Sequence, residues 1–234
     1  MPNLPKSLDP TTLAALDGLS LRSRLIVEGL LAGIHRSPFR GVSVEFAEHR
    51  EYVPGDDLRH VDWKVYGRTD KLYLKQFVDE TNLHCCVLVD SSASMHYGPQ
   101  DGLNKQQYAE CIALALCWLV LRNGDAAGAG TGVETIEAWI PASSHPDQLD
   151  RLIGLLEDQL GRDLNSSTEN NAFGNVLRET AERLAQRSAV YILSDFLTDL
   201  PSLYQGIERL RVEGHDVTLL QVLDRDELEF PFTG

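Results

Sequence analysis

The stretch His84-Cys-Cys-Val-Leu-Val-Asp90-Ser-Ser92-Ala-Ser94-Met95 decides the fold. Cys85–Val89 is a continuous apolar run of strand length, the pattern of a strand buried on both faces. It breaks at once into a carboxylate and a cluster of hydroxyls. Downstream, apolar runs of strand length alternate with helical stretches. Helical patterns fall at 104–123, 147–160, 172–187 and 201–212, and strand patterns at 126–131, 134–140, 189–193 and 217–223. Such alternation predicts an α/β fold, a mostly parallel sheet covered by helices. The 104–123 stretch is apolar nearly all round, so its helix is expected deep against that sheet.

Upstream the pattern differs. Asp9-Pro10 reads as a helix start, an N-cap residue followed by proline at the first helical position. Helices are expected at 11–17 and 20–32, ending near Gly33. Residues 42–48 alternate like a half-buried strand, and 71–78 make a second. Between them Asp57–Tyr66 fits a short helix, with Gly67 as its left-handed stop and Thr69-Asp70 as a turn. Residues 1–80 are therefore expected to form an elaboration of helices plus strand–helix–strand, packed on a main domain of residues 81–234. The closing Glu229-Phe-Pro-Phe-Thr-Gly234 resembles no natural element end, so the native chain is expected to continue.

Composition bounds the function. The 234 residues carry 21 Lys plus Arg against 35 Asp plus Glu, a net charge of −14, with 43% hydrophobic residues. These values exclude collagen, coiled coil and disordered tail. Residues 1–80 are nearly neutral, so the acidity falls on residues 81–234 and disfavours binding to nucleic acid. The longest apolar run, Cys111–Leu121, is about half the ~20 residues needed to span a bilayer. The N-terminus lacks a basic and apolar leader, and the four cysteines lack C-x-x-C spacing. A cytoplasmic protein with four reduced core thiols and no membrane insertion is expected.

The chemistry sits where the first buried strand ends. In open α/β sheets, ligands bind outside the carboxyl ends of strands, where strand order reverses. Asp90-x-Ser92-x-Ser94 puts one carboxylate and two hydroxyls on a single turn there, all hard oxygen donors. Ser194-Asp195 closes a second buried strand, and a doubly wound order would make the two strand ends neighbours. The polar loop Asn165–Asn171 supplies a further oxygen, from Thr168 or Asn171, or else both merely cap the next helix. This donor set suits Mg²⁺ or Mn²⁺. Two aspartates neutralise a divalent cation and leave it electrophilic enough for one carboxylate from outside. No His/Cys zinc cluster and no G-x-x-x-x-G-K-[ST] is present in the sequence.

Asp90-x-Ser92-x-Ser94 with the later Ser194-Asp195 resembles the metal-ion-dependent adhesion site (MIDAS) of von Willebrand factor type A (vWA) domains. The stretch Gly41–Phe46 and the block Gly55-Asp56-Asp57-Leu-Arg59-His-Val-Asp62-Trp63 narrow the match. Together they resemble the DUF58 family of bacterial proteins, over about Ser20 to Phe232. The resemblance implies a three-layer αβα fold with an N-terminal elaboration, divalent-cation binding, and a MoxR-type AAA+ ATPase as partner. Its metal residues would be Asp90, Ser92, Ser94 and Asp195. The family's loop threonine falls nearer Asn171 than Thr168, which departs from the pattern.

The expected function is a non-enzymatic interaction module whose cation accepts an Asp or Glu carboxylate from a protein partner. Two readings compete. One is a Mg²⁺-dependent phosphoryl-transfer enzyme with Asp90 as nucleophile, against which stand Ser92 at the general-acid position and the lack of an evident phosphate-clamping lysine. The other is a structural scaffold with a vestigial site, in which no metal-dependent rise in melting temperature occurs.

Overall fold

The computed structural model describes residues 10–34, 49–51, 63–69, 71–75, 83–99, 102–159 and 172–230. The chain divides into two compact units, one of Met1–Arg36 with Leu83–Gly234, the other of Ser37–Asn82. The larger unit opens with α1 (Pro10–Ala14) and α2 (Leu19–Ile34). The turn between them needs Gly18 at φ 85°. The Arg22 guanidinium donates to the carbonyls of Leu13 and Leu16, satisfying acceptors that the end of α1 leaves open.

In the smaller unit, β1 (His49–Glu51) pairs antiparallel with β2 (Tyr73–Lys75), and α3 (Trp63–Thr69) lies between them in sequence. Strand–helix–strand is thus the observed order, with one correction. Of the helix expected over 57–66, residues 63–66 lie in α3, 57–62 lie outside the described residues, and Gly67 lies inside the helix rather than ending it, since its φ is not positive. Of the strand expected at 71–78, Tyr73–Lys75 forms β2 and 76–78 lie outside the described residues, as does the strand expected at 42–48.

The main sheet belongs to the larger unit. Its strands are β3 (His84–Asp90), β4 (Ala126–Gly132), β5 (Ile136–Ser143), β6 (Ser188–Ser194) and β7 (Asp216–Gln221). Their order across the sheet is β5-β4-β3-β6-β7, all parallel except β5. The chain therefore winds from β3 outward to β5, then returns to lay β6 against the other side of β3. That reversal creates the switch point foreseen from the sequence. The connections are α4 (Lys105–Arg122), α5 (Gln148–Gln159), α6 (Phe173–Arg183) and α7 (Leu200–Val212), with α8 (Arg225–Glu229) after β7.

Alternation along β3 sorts the core into two layers. Cys85, Val87 and Val89 pack with α4 and α5 on one face, and Cys86 and Leu88 with α6 and α7 on the other. This is the α/β fold with helices on both faces of a mostly parallel sheet. The all-round apolarity of α4 has a plain cause: α2 covers the side that the sheet does not. Ile26 and Val27 of α2 join the same core cluster as Cys111 and Leu114, and the Ser23 hydroxyl donates to the Cys111 carbonyl at 3.1 Å. Each large aliphatic side chain so enclosed contributes about 1.5–3 kcal/mol. All four cysteines are free and buried, and burial pushes the Cys85 and Cys111 thiols up to about 12. Among the described residues no helix is long and apolar enough to cross a membrane.

Candidate metal centre at the sheet switch point

The register of β3 against β6 pairs Val89 with Leu193, so Asp90 and Ser194 end their strands side by side. The Ser194 hydroxyl donates to Asp90 Oδ2 at 2.6 Å, and the Ser92 N–H donates to Oδ1 at 2.9 Å. The second bond turns the chain immediately after β3 and leads into a 3₁₀ turn over Ala93–His96. That turn brings the Ser92 and Ser94 hydroxyl oxygens within 3.1 Å of each other. The Ser91 hydroxyl on the same turn is buried with no hydrogen-bond partner. Burial pushes the Asp90 carboxyl up to about 6; the Ser194 and Ser92 bonds pull it down, and the charge of Asp195 pushes it up. Asp90 and Asp195 thus sense each other across the switch point.

The chain after β6 is strained. Phe196 sits at φ 60°, a conformation uncommon for any residue with a Cβ. The strain permits two close bonds, Phe196 N–H to the Ser194 hydroxyl at 2.8 Å and Leu197 N–H to Asp195 Oδ1 at 3.0 Å. Backbone strain of this kind concentrates at functional sites, where surrounding contacts hold it.

One residue of the site escaped the sequence reading. Lys105, the first residue of α4, reaches Asp195 Oδ2 at 2.7 Å and Glu227 Oε1 of α8 at 2.7 Å. Asp90, Asp195 and Lys105 are 0%, 1% and 3% exposed. Burial alone would lower the Lys105 pKa, but the bonds to Asp195 and Glu227 outweigh it and raise the value. A cation in the first turn of a helix opposes the helix dipole, so Lys105 depends on those two acids for its place. That conflict was readable in the sequence: a lone lysine directly before an apolar helix, after a motif rich in oxygen donors. Glu227 is itself held in place by the Asp224-x-x-Glu227 capping box that starts α8.

The donor chemistry fits a hard divalent cation. Asp90 accepts one of the bonds described above at each oxygen and keeps lone pairs, and Ser92 and Ser94 offer neutral oxygens on the same turn. Asp195 stands differently, because one of its oxygens is ion-paired with the Lys105 ammonium while the other accepts from the Leu197 N–H. Thr168 and Asn171 lie outside the described residues. Among the described residues no group of three or more His, Cys, Asp or Glu is placed to hold a metal, so any site there draws on at most two such side chains beside hydroxyls.

The model of the family described as "Protein of unknown function DUF58" matches residues 48–234. The chain belongs to DUF58. This DUF58 chain is 28% identical over 226 residues to uncharacterized proteins Mb1516 of Mycobacterium bovis and Rv1480 of Mycobacterium tuberculosis, covering 97% of it and 69% of each relative. Two solved structures align with part of the chain. One is an aerotolerance-related membrane protein from Bacteroides fragilis carrying multiple mutations to serines. It has a TM-score of 0.45 and 15% identity, over 60% of this chain and 67% of that one. The other is the conserved hypothetical protein BatB from Bacteroides thetaiotaomicron, with a TM-score of 0.46 and 14% identity over 59% and 66%. Likeness of this degree carries no argument.

Proposed function

We propose that this DUF58 chain is a non-enzymatic, divalent-cation-dependent interaction module with a MIDAS-type site in a vWA-like domain. The observation that carries the reading is the meeting of Asp90-x-Ser92-x-Ser94 with Ser194-Asp195 at the switch point. Asp90, Ser92 and Ser94 would hold Mg²⁺ or Mn²⁺, with a loop oxygen from Thr168 or Asn171. Asp195 acts from outside the inner set, through water. When bound, the cation supplies an open electrophilic position for an Asp or Glu carboxylate of a protein partner. The MoxR-type AAA+ ATPase implied by the family resemblance is the proposed partner. A cytoplasmic setting goes with it, supported by four free buried cysteines.

The test joins binding to capture. Calorimetry with MnCl₂ should give a binding heat in the native chain that Asp90→Ala abolishes. A pull-down should lose its specific partner when chelator is added. Equal Mn²⁺ binding by Asp90→Ala would end the reading.

Lys105 also supplies the cation that the phosphoryl-transfer reading lacked. Against that reading, Asp90 is fully buried and both its oxygens accept hydrogen bonds, a poor state for a nucleophile. Asp90-dependent turnover of an aryl phosphate with Mg²⁺ would reverse the preference.

A further inference from the structure

We infer that Lys105 is a tethered competitor for the divalent cation, and that Glu227 on α8 governs how strongly it competes. The inference rests on the metal-site reading proposed above. The ammonium of Lys105 lies against one carboxylate of the Asp90–Asp195 pair and also donates to Glu227, whose side chain is only 25% exposed. A cation held by Asp90 beside Asp195 brings two positive charges close to a third in a water-poor setting, where charges interact far more strongly than in bulk water. Either the ammonium leaves Asp195 or the cation binds weakly. The lysine therefore sets a threshold concentration for occupancy.

Glu227 acts on that threshold from outside. It draws the ammonium away from Asp195 and adds negative potential, both of which favour an incoming cation. Its position is fixed by α8, where the Glu227 carboxylate caps Asp224 N–H at 2.8 Å. Tyr97, just past the Ser94 turn, ties the same segment to the site: its hydroxyl reaches Asp226 Oδ2 at 3.5 Å, and its ring lies 5.9 Å from the Lys105 ammonium. The backbone adds a further tie, Lys105 N–H to the Tyr97 carbonyl at 3.0 Å. The docking of α8 and the occupancy of the site are thus joined through one side chain.

Calorimetry with MnCl₂ on the full chain, wild type and variants, decides the matter. Lys105→Met should bind Mn²⁺ at least about tenfold tighter, since a like charge next to the site is gone. Without metal it should melt below wild type, having lost the ammonium paired with Asp195, and Mn²⁺ should restore it. Lys105→Gln, which still donates a hydrogen bond, repeats the measurement should the methionine variant fail to fold. Glu227→Gln should bind Mn²⁺ several-fold more weakly, and this effect should be smaller in the Lys105→Met background, where only the negative potential of Glu227 remains. Wild type that binds Mn²⁺ with Lys105→Met and Lys105→Gln no tighter overturns the competitor and leaves the metal site standing. Silence from wild type with clear binding by the lysine variants supports it. No binding by any of these chains ends both.

Discussion

Replacing Gly174 by valine is expected to lower the stability of the protein by on the order of 3 kcal/mol, or roughly 10 °C in melting temperature. Gly174 opens α6 and Gly206 lies in α7, and the two helices meet backbone to backbone there. A Cβ at Gly174 would overlap the carbonyl of Ser202, and one at Gly206 would come within 2.7 Å of the Gly174 carbonyl oxygen. These obstacles are main-chain atoms, so neither helix can yield by turning a side chain. The damage reaches the site as well, because α7 starts just beyond Asp195 and its displacement would pull on the strained turn at Phe196. Urea denaturation of Gly174→Val beside wild type checks the result. An unchanged midpoint would show that α6 and α7 do not pack in this way.

The second large effect concerns Glu110, buried on α4, where the loss of solvation pushes its carboxyl up to about 8, only partly offset by the Gln106 bond. Glu110 Oε1 accepts from Gln106 Nε2 at 3.1 Å, while Glu110 Oε2 and Gln106 Oε1 are both left without partners. A protonated carboxyl removes the conflict, since one acceptor becomes a donor. Between about 4.5, its ordinary value, and about 8 the folded chain keeps a proton that the unfolded chain gives up. Stability must then fall as pH rises through that window, by at most about 1.4 kcal/mol per pH unit, and level off above it. Glu110→Gln cannot lose a proton and offers an N–H toward Gln106. It is expected to be more stable than wild type by a few kcal/mol at pH 8.5, with little advantage at pH 4.5. Asp90, pushed up to about 6, adds a slope of the same sign in both proteins, so the difference between them isolates Glu110. Parallel pH profiles for the two chains would contradict the prediction.

Most of the framework was legible because the apolar runs are long and bounded. The run at Cys85–Val89 could only be a strand buried on both faces, and its pairing with β6 follows from the αβ alternation. Asp90 beside Ser194 follows in turn. Local signals failed where they were short. Gly67 was read as a stop, yet a glycine within a helical segment ends it only if the chain actually turns left-handed there. The helix at 172–187 stops at Arg183 because Leu184 is already extended. Lys105 was overlooked for a different reason. Charge–charge partnership over 90 residues of sequence leaves no periodic trace, and only the cost of a cation at a helix start hinted at it.

The placement of α2 on α4 has a practical consequence for dissecting the molecule. The chain leaves the larger unit after Arg36 and re-enters it at Leu83, so that unit is discontinuous and the smaller one interrupts it as an insert. Cutting at the apparent boundary near residue 80 would strip away α1 and α2 and uncover greasy flank along Cys111 and Leu114. A shortened version that keeps the sheet soluble must retain residues 10–34 as a lid on that flank, joined to β3 by a bridge in place of Ser37–Asn82.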